Sequence, residues 1–258
     1  YANCIISNAG VVNTFTSLLP EAISEELGYR DRVQSLATSM SHGGMYIGLR
    51  GSAEELQLPK TNLWIYLDQH HDDNVAALRK DPSAPLPLVY VSFPSAKDPD
   101  FQRRHPGRST IEIVIGPCDF EQYRQWADKT WGKRGDDYEA LKADLSERML
   151  AALYKQMPHL RGKIDYSEVS TPLSTSHFCR YKQGEAYGLA HTKVRFEQDW
   201  LKPKTKLQGL YLTGQDLISC GVVGALMAGM VTAMSVVGLR AAAILMKKIK
   251  SGDLLKPD

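Results

Sequence analysis

The chain has 258 residues, enough for one large domain or two smaller ones around a sizeable core. Its 31 Lys and Arg against 29 Asp and Glu leave a net charge of +2, which argues against the strongly basic face of a dedicated nucleic-acid binder. Cys4, Cys118, Cys179 and Cys220 are far apart and form no C-x-x-C pair, so zinc-type spacing is absent and reduced, partly buried thiols are expected.

Residues 1–7 already read as the body of a strand with no signal peptide or linker ahead of them, so the chain is expected to be a piece of a longer protein whose N-terminal part is missing. Cys4-Ile5-Ile6 runs into Ser7-Asn8-Ala9-Gly10, either the ligand-side loop of an α/β domain or an ordinary strand-to-helix turn. Residues 14–36 are predicted to be helical in part. Residues 45–50, 62–67, 88–93 and 110–115 then read as four strands separated by Gly, Pro and charged turns, a largely antiparallel sheet with one face covered. Within this region His70-His71-Asp72-Asp73 is read as strand, where neighbours point to opposite faces and do not share a metal ion. Ser41-His42-Gly43-Gly44 lacks a strand-elbow serine motif, which leaves a hydrolase triad unsupported.

Residues 119–126 are predicted as a capped helix with Phe120, Tyr123, Trp126 and Ala127 on one side. Residues 136–157 repeat that logic, with Leu141, Leu145, Met149 and Leu153 in one row until Pro158 ends it. After Gly162 the opening pattern returns, with a strand at 164–171, an irregular stretch to Thr192, and a terminal strand and helix. The middle therefore reads as an insertion between two parts of one α/β domain. The irregular stretch concentrates His177, Cys179, Tyr181, Tyr187 and His191 with Gly184 and Gly188, either a packed loop or a pocket wall carrying a proton donor. Lys202, Lys204 and Lys206, and later Lys247, Lys248 and Lys250, read as solvated ends.

The terminal unit carries the most information. Leu210-Tyr211-Leu212-Thr213 lies between Gly209 and Gly214 as a short buried strand, with Asp216 just past its end and a helix starting near Gly221. At the rim of an open α/β sheet such a carboxylate holds ribose or ribityl hydroxyls. The first amides of the helix, around residues 221–225, attract negative charge such as the pyrimidine edge of a reduced flavin. Two other readings stay open: Asp216 caps a turn while the glycines permit close packing, or the segment spans a membrane. Residues 217–239 carry no charge, and a span needs about 18–20 apolar residues. The stripe Gly221, Ala225, Gly229, Ala233 suits helix contacts in lipid or in a soluble core.

Leu210 to Asp216, followed by Cys220-Gly221-Val222-Val223-Gly224-Ala225-Leu226, resembles the C-terminal flavin motif of the all-trans-retinol 13,14-reductase (retinol saturase) family. Phe93-Pro94-Ser95-Ala96-Lys97-Asp98, Pro106-Gly107-Arg108-Ser109-Thr110, Lys133 to Glu139, Thr171 to Ser174, Ser7 to Gly10 and Tyr187-Gly188 are similar to segments of that family in the same order, so the resemblance covers essentially the whole chain. It implies an FAD-dependent oxidoreductase of the phytoene desaturase and carotenoid isomerase superfamily. The implied fold is α/β (α+β overall), with 1–12 and 163–258 as parts of a Rossmann-like FAD-binding domain and 13–162 as an inserted, largely antiparallel substrate domain whose sheet floors an apolar polyene. The implied reaction saturates the 13,14 double bond of all-trans-retinol or a related polyene. A carotenoid desaturase or isomerase-like flavoprotein and a catalytically inactive binding module are the alternatives.

Carried over residue by residue, the resemblance places Asp216, beside Gly214, on the ribityl chain. Gly221, Val223, Gly224 and Ala225 then face the flavin ring, and Asn8 and Ala9 its phosphate side. Tyr187 and His177 are candidates for the acid that supplies the second hydrogen. NAD(P)H as electron donor, a retinoid substrate and the endoplasmic reticulum membrane are implied as well, with a cytoplasmic or peripheral membrane location as the alternative. The family's dinucleotide-binding G-x-G-x-x-G does not occur in these residues. Since that motif cradles the FAD pyrophosphate, the chain by itself is expected to hold one side of the cofactor, to bind it weakly or not at all, and to be inactive alone.

Overall fold

The computed structural model describes residues 2–251. In chain order the elements are β1 (Ile5–Ser7), α1 (Val11–Asn13) running into a π-helical turn at Thr14–Leu18, α2 (Glu21–Glu26), α3 (Tyr29–Gln34), β2 (Ser41–Arg50), β3 (Leu63–Tyr66), α4 (His71–Lys80), β4 (Leu88–Ser92), α5 (Pro94–Lys97) and α6 (Phe101–Arg104). They continue with β5 (Arg108–Cys118), a 3-10 helix at Phe120–Trp126, α7 (Asp136–Gln156), a 3-10 turn at Pro158–Leu160, β6 (Ile164–Ser170), α8 (Pro172–Cys179), α9 (Lys193–Phe196), β7 (Leu210–Leu212), α10 (Gly221–Val237) and α11 (Leu239–Ser251). Parallel and antiparallel pairing both occur, as an α/β chain with an antiparallel part requires.

Two compact units divide the chain, one formed by the residues up to Ser39 with those from Tyr187 onward, the other by Met40–Ala186. In the first, β1 and β7 pair in parallel with Ile5 opposite Leu210 and Ser7 opposite Leu212. Its core gathers Val11, Phe15, Tyr29, Val33, Leu189, Trp200, Leu210 and Leu212. The Phe15 and Tyr29 rings stack at 4.1 Å between centroids and Trp200 meets Tyr29 edge-on at 5.8 Å, which draws residues 15–36 onto the terminal strand.

In the second unit the sheet order is β3-β4-β5-β2-β6, with antiparallel pairing throughout. Alternation fills one face with Met45, Ile47, Leu49, Val89, Val91, Ile111, Ile113 and Ile115, which share a core with Leu145, Met149 and Leu153 of α7. The other face presents Tyr46, Trp64, Tyr66 and Tyr166, all exposed.

The four predicted strands are present, and the long helix lies where its apolar row puts it. Other segments differ from expectation. The units divide at 39/40 and 186/187 rather than at 12/13 and 162/163: Tyr29 and Val33 pack with the terminal strand, whereas β6 completes the antiparallel sheet on β2 instead of repeating the opening unit. His71 begins helix α4 with His70 at its N-cap, so the strand premise applied to these histidines does not hold. Residues 120–126 form a 3-10 helix whose N-cap residue, Asp119, makes no capping hydrogen bond. The stretch read as irregular contains α8, started by a capping box in which the Thr171 hydroxyl accepts the Leu173 N–H and the Ser174 hydroxyl accepts the Thr171 N–H.

Candidate functional site

The parallel strands β1 and β7 end side by side, and Thr213 donates its N–H to the Ser7 carbonyl at 2.9 Å. Beyond them the chain turns at Gly214, whose φ of +96° suits glycine, and a Cβ there would stand 2.1 Å from Asn8 Oδ1. Side-chain-free backbone at 214 therefore lets Asn8 lie across the strand ends. A cavity of about 430 Å³ opens at this point, lined by Asn8, Thr213, Gly214, Ala225, Leu226 and Met230 among others. Three residues singled out from the sequence, Asn8, Gly214 and Ala225, thus meet around one space. Ala9, Gly221 and Val223 lie exposed nearby in the chain, the latter two in the first turn of α10, whose leading amides have no intrahelical acceptor. Gly224 is instead buried, and a side chain there would run into the Ser219 carbonyl.

Asp216 occupies a different environment from the one expected. It is 2% exposed, and its two carboxylate oxygens accept the backbone N–H groups of Val11 and Leu189, each at 2.9 Å. The carboxylate thereby ties together the segment after β1, the 188–191 loop and the turn after β7. Gly188 makes this approach feasible: its φ is +65°, and a Cβ would fall 2.2 Å from Asp216 Oδ1.

Arg195, absent from the sequence-based candidates, completes the tie. Also 2% exposed, it donates from Nη1 to the Leu189 carbonyl at 2.9 Å and from Nη2 to the Gln215 carbonyl at 2.7 Å, while its Nε has no partner. Burial holds the guanidinium below its usual range, opposed by the charges of Asp216 and Cys220. His191 sits against Arg195 Nη1 at 3.1 Å and accepts the Cys220 N–H on Nε2 at 2.9 Å. Cys220 is the N-cap of α10, so this imidazole fixes the helix start to the 188–191 loop. Burial and the neighbouring Arg195 pull its pKa below 6.5 against the opposing charge of Asp216, in keeping with an unprotonated Nε2. The only sequence signal for Arg195 was its i+4 spacing from His191, too common to act on.

The two proposed acids belong to different units. His177 lies on α8 of the second unit and stacks on Trp131 at 4.6 Å between centroids. Tyr187 belongs to the first unit, with its side chain exposed and its backbone N–H donated to the Ser39 hydroxyl at 2.9 Å. Among the described residues no three His, Cys, Asp or Glu side chains are grouped to hold a metal, and no helix is long and apolar enough to cross a membrane.

No family model matches the chain. The all-trans-retinol 13,14-reductase of Rattus norvegicus is 35% identical over 233 residues, 88% of this chain and 38% of the rat protein. The chain is a homologue of the all-trans-retinol 13,14-reductases. It spans about two fifths of the length of those relatives. Similarity extends to a Danio rerio protein named as an inactive all-trans-retinol 13,14-reductase, 28% identical over 91% of this chain and 40% of that protein. It also reaches the phytoene desaturase of Neurospora crassa, 25% identical over 81% of this chain and 33% of that protein.

The structure ties together segments that carry the reductase resemblance. Ser95 of the Phe-Pro-Ser-Ala-Lys-Asp run accepts the Thr110 N–H on its hydroxyl at 2.9 Å, joining it to Pro106–Thr110. Tyr138, from the 133–139 segment, shares a 2.7 Å hydrogen bond with the Thr171 hydroxyl.

Proposed function

We propose that the whole protein is an FAD-dependent oxidoreductase acting on a CH–CH bond of an elongated polyene, such as the 13,14 double bond of all-trans-retinol, and that this chain supplies the flavin-side rim and the substrate floor. The observation that carries the reading is the cavity at the shared end of two parallel strands, where Asn8, Gly214 and Ala225 converge beside the start of α10. In sheets of this kind, ligands bind outside the carboxyl ends of the strands. The residues present fit part of a flavin dinucleotide: small or absent side chains at 214 and 225 admit a planar ring, Asn8 offers a polar contact, and the leading amides of α10 favour an electron-rich edge.

When bound, FAD supplies the two-electron redox chemistry. The chain's own residues orient and hold. Asp216, Arg195 and His191 fix the segments that build the rim, so Asp216 serves the cofactor by positioning it rather than by direct contact. NAD(P)H as electron donor and association with the endoplasmic reticulum membrane belong to the same proposal. So does weak or absent FAD binding by the chain alone, because no G-x-G-x-x-G is present to hold the pyrophosphate.

The inactive relative supports a second reading, a binding module that keeps the fold without turnover. Full-length protein decides between them. The redox reading expects stoichiometric flavin and loss of conjugation from retinol under reducing, anaerobic conditions; the carotenoid alternative expects the change in a carotenoid instead. Ala225→Leu, which narrows the cavity, is expected to lower flavin content with secondary structure intact. Wild-type flavin content in that variant would remove the cavity from the cofactor site.

A further inference from the structure

Just before the terminal strand, residues 203–205 pair with β7. The Leu212 N–H is donated to the Pro203 carbonyl at 2.8 Å and the Thr205 N–H to the Leu210 carbonyl at 3.3 Å, with Lys204 opposite Tyr211. Extended backbone sends alternate side chains to opposite sides. Thr205 is accordingly buried, whereas Lys202, Lys204 and Lys206 are all exposed. These three lysines and Arg32 of α3 line one cleft of about 460 Å³. Among the described residues Asp199 is the one carboxylate in its wall, so four cationic side chains share a single anion.

Asp199 offsets little of that charge. Its side chain is 90% exposed and stands 4.0 Å from Arg32 Nη1, the outer limit of an ion pair, where water screens most of the attraction. Lys206 is anchored by neutral groups, its Nζ donating to the Leu27 carbonyl at 3.0 Å and its backbone N–H to the Tyr29 hydroxyl at 2.7 Å. The ammonium groups of Lys202 and Lys204 have neither an ion pair nor a hydrogen bond among the described residues. A concave site lined by one sign of charge concentrates counter-ions of the other sign. Alternate residues of an extended chain lie about 6.7 Å apart, so the lysines spread over roughly 13 Å, more than one tetrahedral anion spans. The aromatic walls add no stacking platform. Tyr29, 2% exposed, stacks on Phe15 at 4.1 Å with Lys206 over its ring at 5.9 Å, and Trp200, 8% exposed, packs edge-on against both rings. Recognition there is by charge, with no ring face open to a nucleobase.

We propose that Lys202, Lys204, Lys206 and Arg32 bind a group carrying two or more adjacent phosphates, without selecting a base. None of these four residues lines the cavity at Asn8, Gly214 and Ala225, so the site is independent of the redox reading. Soluble pyrophosphates and phosphorylated inositol lipid headgroups both carry such a group, and the cleft meets either with the same charge-assisted hydrogen bonds.

Full-length protein, titrated calorimetrically with inorganic pyrophosphate and with orthophosphate at low and at physiological salt, tests the assignment. Pyrophosphate is expected to bind about tenfold more tightly than orthophosphate, and to weaken as salt rises. Lys202→Gln with Lys204→Gln should cost about tenfold in pyrophosphate affinity, the value of one or two hydrogen bonds to a charged group, and Lys202→Arg with Lys204→Arg should keep most of it. A purine and a pyrimidine nucleoside triphosphate should bind alike. Equal affinity for the two inorganic phosphates, or pyrophosphate binding untouched by the glutamine pair, overturns the proposal. So does equal loss in the arginine and glutamine pairs, or a strong preference for one base. Sedimentation with phosphatidylcholine vesicles separates the two sources. Binding only to vesicles that contain phosphatidylinositol bisphosphate, reversed by pyrophosphate and lost in the glutamine pair, assigns the group to a lipid; pyrophosphate binding without sedimentation assigns it to a soluble ligand.

Discussion

Asp216→Asn isolates the charge of the buried tie from its shape. The substitution is isosteric, but an amide has one acceptor oxygen, and Asp216 uses two, one for Val11 N–H and one for Leu189 N–H. One backbone N–H is therefore left facing an NH2 group in a site with 2% exposure. Loss of a hydrogen bond to a charged acceptor costs about 1.5–3 kcal/mol, and the remaining bond, now neutral, weakens by roughly half. Arg195 also loses the carboxylate that offsets its burial. Together these give a destabilisation of about 3 kcal/mol, inside the range for breaking a buried charged network. Urea unfolding of the chain supplies the global number, and amide hydrogen exchange by NMR supplies the local one. The expected result is a lower midpoint with unchanged slope and accelerated exchange at one of Val11 and Leu189. Wild-type protection at both amides with a midpoint shift worth less than about 1 kcal/mol would refute the reasoning.

Three further outcomes are expected. Thr171→Ala removes the α8 cap and leaves the Tyr138 hydroxyl without its partner, for a loss of about 2–3 kcal/mol, whereas Thr171→Ser recovers most of it in the same thermal melt. Cys118, buried and with its thiol pushed up to about 11 by that burial, should resist a thiol reagent at pH 8 in the native protein and react on unfolding, while exposed Cys4 reacts at once; mass mapping of labelled cysteines checks the order. His42 and His191 both titrate below the 6.5 of a free imidazole when folded. The unfolded chain therefore binds more protons as pH falls through that value, so their contribution is intact above about pH 6.5 and is lost from there down through the folded pKa values. Unfolding midpoints measured from pH 7.5 to 5 should decline, and His191→Gln with His42→Gln should flatten that slope.

Much of the second unit was legible in order. Residues 45–49 and 111–115 place Met45, Ile47, Leu49, Ile111, Ile113 and Ile115 at period 2, and Leu145, Met149 and Leu153 recur at helical spacing; both patterns are local and survive into the fold. α8 also had a local signal, Thr171-Pro172-Leu173-Ser174, in which a cap, a proline in the first turn and a serine at the third position start a helix that the reading of a loop passed over. The His70-His71 segment went the other way: acidic Asp72 and Asp73 in a first turn are helix-starting residues that were read as strand. The division into two compact units has a different origin. Tyr29 belongs with Trp200, and β6 with β2, through contacts that no window of neighbouring residues contains.

By itself the amino-acid sequence determined that two short strands, the second bounded by Gly209 and Gly214, flank the chain's middle, that the middle is a sheet with a covering helix, and that the whole resembles the retinol 13,14-reductases. Those properties follow from side-chain periodicity and from residue identity in short runs. Tertiary structure alone decided what Asp216 does, because its hydrogen-bond donors are 205 and 27 residues away in the chain. It also brought out Arg195 and the cleft that Arg32 shares with Lys202, Lys204 and Lys206. A charged residue in sequence reads as surface until the fold buries it, and whether its polar atoms are then satisfied depends on backbone groups brought together from distant segments.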